Sequence, residues 1–358
     1  MKILLISNMY PTVEMPYYGY FVQTIENGLT KHNIFTKKRI SISVRQKHKL
    51  YKAFAYFIFY IKIIFWGTFS KYDAIYVHFI LHSAIPLLIV RLFKPSAKII
   101  INIHGSDIKH NTPLNKFLRR FVKPILKKSA LIVVPSSPFK KDILNFVNIK
   151  EKTIYVSPSG GVAEHFYRNH KQNKKDNIRI VIGFISKVIA LKGWFVFADA
   201  MKQLKDLGIP FKAIVGGQQG GNEIKILQEY NLINEVDFVG MIDYKELPKY
   251  YSAMDIFIFP TLMEESLGLV ALEAMANGTP VIASNIGAIS DYLIDGKNGF
   301  FFKKGNVDDL ILKIKEYYYS DIDDKALFSH NARKTALKYR HTIVIKELAN
   351  KFNEIINN

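Results

Sequence analysis

Two rhythms of apolar and polar residues take turns along this chain. Short β-rich apolar runs predict strands at 2–7, 74–79, 98–104, 130–135 and 153–156. Between them the apolar spacing changes to three and four, which predicts helices at 20–31, 83–93, 113–128 and 138–147. Strands alternating with helices imply βαβ units and a parallel sheet. The stretch RNHKQNKKDN at 168–177 then interrupts the pattern with polar residues alone. Beyond it the alternation restarts, with strands expected at 179–185, 211–215, 236–240, 255–260 and 280–284. The matching helices are 192–207, 222–231, 246–254 and 268–277, and helical patterns alone run from 307 to the end. The expected fold class is α/β with two Rossmann-like domains. The first domain is 1–165, the linker 166–177 and the second domain 178–340, with a C-terminal helix at 341–358 packing back toward the first domain. A length of 358 residues agrees with two domains, at ~100–200 residues each.

Two helical segments carry more than a core pattern. In 113–128 the residues Leu114, Phe117, Leu118, Phe121, Val122, Ile125 and Leu126 form one apolar stripe. The rest of its surface holds Lys116, Arg119, Arg120, Lys123, Lys127 and Lys128, with no acid. A solvated face usually mixes signs, so a single sign points toward an anionic contact. The segment AFAYFIFYIKIIFWGTF at 53–69 is 17 residues long and interrupted by Lys62. Crossing a bilayer takes ~20 apolar residues, so a span is not expected. Two readings stay open here: a helix lying in the membrane interface, with Tyr56, Tyr60 and Trp66 at headgroup level, or a half-buried core helix.

Charge sharpens the picture. The chain carries 50 Lys+Arg against 30 Asp+Glu, a net +20. Residues 1–170 hold 26 basic and 7 acidic side chains, while 171–358 hold 24 and 23. The excess therefore sits almost wholly in the first half, where nucleic acid and anionic lipid are the two surfaces it would suit. No standard nucleic-acid-binding module accompanies it. Hydrophobic residues at 49% exclude wholesale disorder. Cysteine is absent, which excludes disulfides, thiolate zinc, iron–sulfur clusters and a cysteine nucleophile, and permits a reducing cytoplasm. The N-terminal apolar run is too short for a secretory signal.

The segment with most chemistry is 260–299, which reads strand, loop, helix, strand. Glu265 in the loop and Glu273 one to two turns into the helix can both face the crevice where open α/β sheets bind ligands. Gly268 lets a backbone approach a ligand, and the free N–H groups of Gly268, Leu269 and Val270 suit an anion such as phosphate. Carboxylates beside them can accept from sugar or ribose hydroxyls. Earlier, Lys187 and Lys192 flank a turn between a strand and a helix, placed to pair with a diphosphate without a metal. The acids Asp321 and Asp323 resemble a metal pair, but at the start of a tail helix they read as a cap.

This order of residues resembles a family 4 glycosyltransferase: Lys187, four residues, Lys192 and Gly193; Glu265, seven residues, Glu273; Ala274, Met275, Ala276; Gly278, Pro280, Val281. Further matching pieces are Gly19, His104 with Gly105, Ser106 and Asp107, and Pro158 to Val162. The resemblance covers nearly the whole chain. It implies the GT-B fold, two Rossmann-like domains facing a central cleft with a helical tail, and a retaining transfer from a nucleoside diphosphate sugar. It implies that Glu265 faces the donor sugar and Glu273 holds the ribose. Lys187, Lys192 and the backbone at Gly268, Leu269 and Val270 would grip the diphosphate. His104 would lie near sugar and acceptor, and Gly19 would let the first loop approach the phosphates or acceptor. Three departures stand out: Lys187 where family members usually carry Arg, Ser159 in place of Asn, and Ser266 in place of Gly. Lysine keeps the charge but loses the bidentate fork.

No cofactor or metal is expected; the substrate is a nucleotide sugar of UDP or GDP type. The first domain of such a fold takes the acceptor, and here it carries the positive excess. The expectation is therefore a peripheral enzyme on the cytoplasmic face of the plasma membrane, with Trp66, Arg119, Arg120 and Lys123 on the membrane and acceptor side. Its acceptor would be a lipid-linked glycan of surface polysaccharide or lipopolysaccharide synthesis, and no nucleic acid is expected as partner. Two alternatives remain: a sugar-nucleotide epimerase of the same fold and a basic nucleic-acid-binding protein.

Overall fold

A computed structural model describes every residue except 17, 43–48, 106–111, 169–178, 219, 220, 222 and 358. Its contacts divide the chain into two units, Met1–Gly161 with His341–Asn358, and Val162–Arg340.

In the first unit, strands β1 (Lys2–Ser7), β3 (Ala74–His78), β4 (Ile99–Asn102) and β5 (Leu131–Val134) are buried almost throughout. Strands covered on both faces need such continuous apolar runs. With β2 (Phe35–Ser41) and β6 (Ile154–Val156) they form one parallel sheet in the order β2-β1-β3-β4-β5-β6. Helices α1 (Tyr20–Thr30), α2 (Lys49–Phe69), α3 (Ile80–Phe93), α4 (Pro113–Lys127) and α5 (Ser137–Phe146) connect the strands. Thr112 caps α4, its hydroxyl accepting from the Asn115 N–H at 3.2 Å.

The second unit repeats the architecture. Its strands are β7 (Ile180–Ile185), β8 (Phe211–Gly216), β9 (Val236–Gly240), β10 (Ile256–Phe259), β11 (Val281–Ser284) and β12 (Gly299–Phe302). They pair in parallel in the order β12-β11-β10-β7-β8-β9. Helices α6 (Trp194–Asp206), α7 (Glu223–Glu229), α8 (Leu247–Ala253) and α9 (Leu269–Ala276) join them, followed by α10 (Val307–Tyr319) and α11 (Ile322–Leu337). Asp321 caps α11 by accepting from the Asp324 N–H at 2.7 Å.

Helix α12 (His341–Asn357) returns to the first unit. Val344, Ile345, Leu348, Ala349 and Phe352 are buried there, and Phe352 meets the Tyr76 ring edge-on at 4.9 Å. Gly28 of α1 makes the close packing possible, since a Cβ there would lie 2.9 Å from an Ile345 methyl.

Some boundaries differ from the sequence reading. Residues 162–167 belong to the second unit, not the first domain or the linker. Phe166 and Tyr167 are buried in it, and the Tyr167 hydroxyl donates to the Ala336 carbonyl at 2.6 Å. The polar signal that suggested a linker starts only after these two aromatics, and residues 169–177 of it lie outside the described residues. Strand β2 went unforeseen because Lys37, Lys38 and Arg39 make it read as polar; it is an edge strand, where charge is tolerated. Strand β12, the short run GFFF, was also missed, although three of its four residues are buried.

Candidate active site

The second sheet reverses its order beside β7, whose neighbours are β10 and β8. Crevices at such a switch point are where open α/β sheets bind ligands. The loops that leave β7 and β10 carry the lysines and the first glutamate. They touch along their backbones, with the Leu262 N–H donating to the Leu191 carbonyl at 3.0 Å. Gly193 sits at φ +81°, and a Cβ on it would fall 1.8 Å from the Pro260 carbonyl oxygen. No other residue type allows that approach. Lys192, one position earlier, thereby meets Glu265: its Nζ lies 2.5 Å from Oε1. The Thr261 hydroxyl donates to the same oxygen at 3.2 Å. Lysine and glutamate are 21% and 14% exposed, enough for a ligand to reach them and too little for water to screen them fully. Lys187 is exposed on the same loop, which the Val188 N–H anchors to the Gln218 carbonyl at 3.0 Å.

Gly268, in the left-handed region, caps α9. The Tyr292 hydroxyl holds its carbonyl at 3.3 Å, and Leu269 and Val270, both partly exposed, form the first turn. Helix geometry leaves the earliest N–H groups without an intrahelical acceptor, so this end favours negative charge. One turn further in stands Glu273, only 4% exposed. The Tyr251 hydroxyl donates to its Oε2 at 3.3 Å, and Tyr244 also hydrogen-bonds to the carboxyl. Burial raises its pKa to about 7, and the two tyrosines work against that rise. Glu273 is therefore a carboxyl whose charge near neutral pH rests on a few hydroxyl donors. Hydroxyls of a ligand would extend that set. Tyr244, Tyr251 and Thr261 were not singled out from sequence; the inward face of a short helix hid Tyr251, and no pattern marked the other two.

In the first unit, Gly19 is left-handed at φ 76° and begins α1. A Cβ on it would lie 2.9 Å from the Met9 carbonyl, so its requirement is met by the loop's own backbone. His104 follows β4, partly exposed, between the rings of Phe21 (4.8 Å) and Phe79 (4.7 Å). Burial drives its pKa down to about 3, so the ring is neutral at physiological pH. Ser106 and Asp107, which follow it in the motif, lie outside the described residues. His78, at the end of β3, had no sequence signal, yet its Nδ1 lies 2.9 Å from the His104 Nε2.

Trp66 is half-buried. With Tyr56 and Tyr60 it packs on the core of the sheet, and the Lys38 amine sits 4.8 Å from its ring centre. Phe59 and Ile63 of the same face are fully buried. The opposite face of α2 carries Leu50, Phe54, Phe57, Ile61, Phe65 and Phe69, all exposed and all on one stripe. By length and composition alone, Leu50–Phe69 is long and apolar enough to cross a membrane. On α4, Arg120 and Lys123 are exposed and Arg119 is half-buried. The Lys123 amine lies 4.9 Å from the Phe146 ring centre, and Leu114 and Phe117 are exposed nearby in sequence.

Comparison with known proteins bears directly on this arrangement. Residues 24–161 match the model of glycosyltransferase family 4, and residues 165–335 match that of glycosyl transferases group 1. The capsular polysaccharide biosynthesis glycosyltransferase CapM of Staphylococcus aureus is 28% identical over 268 residues, 67% of each chain. The lipopolysaccharide 1,2-N-acetylglucosaminetransferase of Salmonella typhimurium is 24% identical over 287 residues, 75% of this chain and 69% of that one. Among solved structures, sucrose-phosphate synthase of Thermosynechococcus elongatus superposes with a TM-score of 0.78 at 18% identity, covering 99% of both chains. Anabaena Alr3699/HepE, in complex with UDP and glucose, gives 0.75 at 18% identity, covering 99% of this chain and 100% of its own. The two matched models account for nearly the whole chain, and the paired parallel sheets are those of the GT-B fold: this chain belongs to the family 4 type of GT-B glycosyltransferases.

Proposed function

We propose that the chain is a retaining, metal-independent hexosyltransferase of surface polysaccharide or lipopolysaccharide synthesis. It moves a sugar from a UDP- or GDP-type donor to a hydroxyl of a lipid-linked glycan. The observation that carries this reading is the Lys192–Glu265 pair, locked at the switch point by Gly193, with Glu273 one turn into the helix that follows. The names of its capsular and lipopolysaccharide relatives support the pathway class.

In the reaction the bond between the sugar's anomeric carbon and the phosphate oxygen breaks. A bond from that carbon to the acceptor oxygen forms on the same face, and the acceptor proton passes to the departing phosphate. Negative charge builds on the β-phosphate. Lys187, Lys192 and the first turn of α9 supply fixed positive charge and N–H dipoles there. Glu265 orients Lys192 and faces the donor sugar, while Glu273 accepts from the ribose hydroxyls. None of these roles requires a metal ion.

We place the enzyme at the inner face of the plasma membrane, peripherally bound. The outer stripe of α2 supplies apolar contact with lipid, and Arg120, Lys123 and their neighbours on α4 attract anionic headgroups. Helix α2 does not cross the bilayer in this reading, since Phe59 and Ile63 commit its other face to the sheet. The reading is tested by incubating the protein with α-linked UDP- and GDP-sugars and a bacterial lipid extract, and assigning the anomeric configuration of the product by NMR. An α-linked glycolipid supports it. A β-linked product refutes retention, and turnover of the nucleotide sugar without any acceptor identifies an epimerase or hydrolase instead.

A further inference from the structure

The reaction as described gives Lys192 a phosphate and Glu265 a sugar, yet in the free protein the two side chains hold each other. The Lys192 Nζ lies 2.5 Å from the Glu265 Oε1, and the Thr261 hydroxyl lies 3.2 Å from the same oxygen. Among the described residues, Glu265 is the only ion-pair partner of that amine. The backbones behind both side chains have little room to move. Gly193 backs onto the Pro260 carbonyl on one flank. On the other, Gly287 sits at φ +59°, and a Cβ on it would fall 3.2 Å from the Glu265 carbonyl oxygen and 3.3 Å from its nitrogen. A change of partner is therefore left to side-chain rotation.

A carboxylate oxygen and a phosphate oxygen offer an ammonium the same kind of acceptor at the same distance, ~2.7–2.9 Å. An anion arriving at Lys192 thus meets a place already taken. The amine has several N–H donors and can touch both groups for a moment, so the exchange proceeds without a bare charge. It does not favour both for long, because a carboxylate beside a diphosphate is a like-charge contact in a part-buried setting. Lys187, exposed on the same loop, and the first turn of α9 favour the more highly charged of the two anions.

We propose that Glu265 is a built-in competitor for phosphate at Lys192. In the free protein its carboxylate fills the position of a phosphate oxygen. The donor diphosphate takes the amine over, and the displaced carboxylate turns to the sugar hydroxyls. After transfer the nucleoside diphosphate carries no sugar, so nothing compensates the displaced carboxylate. It then returns to Lys192 and holds down affinity for the product. This deepens the donor reading of the same site and rests on it.

The test is calorimetric titration of pyrophosphate, UDP and GDP into the full chain at low salt, as wild type, Glu265→Gln, Lys192→Met and the double variant. Glu265→Gln should bind diphosphate roughly five- to tenfold tighter, the size expected for one part-buried ion pair. In the Lys192→Met background the same substitution should change little. Tightening of equal size in both backgrounds would mean that Glu265 merely repels anions, and overturns the proposal. Unchanged or weaker binding in Glu265→Gln overturns it too. If thermal melting shows Glu265→Gln misfolded, Glu265→Ala takes its place in the cycle with the same expectation. Binding by wild type without the gain removes the competitor and leaves the donor reading standing. No binding of any of these anions by wild type or by Glu265→Gln counts against both.

Discussion

The two units share one architecture and spend their side chains differently. Each has a six-stranded parallel sheet with helices between strands. The second unit is nearly neutral, with 23 basic and 22 acidic residues, and concentrates its unusual features at one end of the sheet. There, glycines let loops touch, a lysine is paired and a glutamate is buried. The first unit has 27 basic and 8 acidic residues, leaves an apolar stripe on the outer face of a 21-residue helix, and sets a buried histidine against a partly exposed one. The difference teaches that a common scaffold sets where a site can form, while surface chemistry sets what may approach it. In the proposed function, one unit would hold the small anionic donor and the other would lie against an anionic membrane surface.

That contrast can be broken most forcefully at Lys192. Lys192→Ala should lower transfer by ~10²–10³-fold, the size seen when one fixed stabiliser of transition-state charge is lost. Binding to anionic vesicles should not change, and a variant that lost both would merge the two roles. Next in size is the α2 stripe. Replacing Phe54, Phe57 and Phe65 together with Ser should cut vesicle partitioning by roughly 100-fold or more, since a fully buried Phe contributes about 1.5–3 kcal/mol. Nucleotide binding should survive in a sedimentation assay run in parallel; loss of fold in the triple variant would show that these side chains serve the core.

A smaller effect is expected at Glu273, and it depends on pH. Its folded pKa is raised to about 7 from an ordinary value near 4.5. Between those values the folded state holds a proton that the unfolded state has released. Its contribution to stability is thus full below the unfolded pKa and is lost as pH rises through about 7. Glu273→Gln should remove this slope and be the more stable protein at pH 8, by up to about 3 kcal/mol, while binding nucleotide more weakly. Denaturation at pH 5.5 and pH 8 checks it, and equal slopes in both proteins would contradict it. Smallest is Arg120→Gln, which should weaken binding to anionic vesicles about fivefold at low salt, near 1 kcal/mol, and hardly at all in high salt.

Much of this was legible in the sequence for a physical reason. Parallel strands buried on both faces write themselves as unbroken apolar runs, so β1, β3, β4 and β5 were visible at once. The Glu265 and Glu273 spacing was visible because a loop and a helix turn bring those positions to one end of the sheet. What stayed hidden depends on partners far apart in the chain. Trp66 is half-buried against the core with the Lys38 amine near its ring, a contact that no local pattern shows. The exposed face of α2 could not be told from its buried face, because both are aromatic. His78 looked like any strand-ending residue, since its meaning comes from His104, 26 positions later. Phe166 and Tyr167 fell on the wrong side of the boundary because a polar run marks where packing stops, not which unit the residues before it join.

The central claim, that the β7–β10 switch point holds a nucleoside diphosphate sugar, is tested most directly by thermal shift. UDP, GDP, ADP, CMP and their sugars would be titrated into wild type and Lys192→Ala, with and without magnesium and anionic vesicles. One nucleoside diphosphate should stabilise wild type by ~2.7 kcal/mol at a hundredfold excess over its Kd and do markedly less for Lys192→Ala. No shift from any nucleotide under all of these conditions, or an equal shift in both proteins, would contradict it.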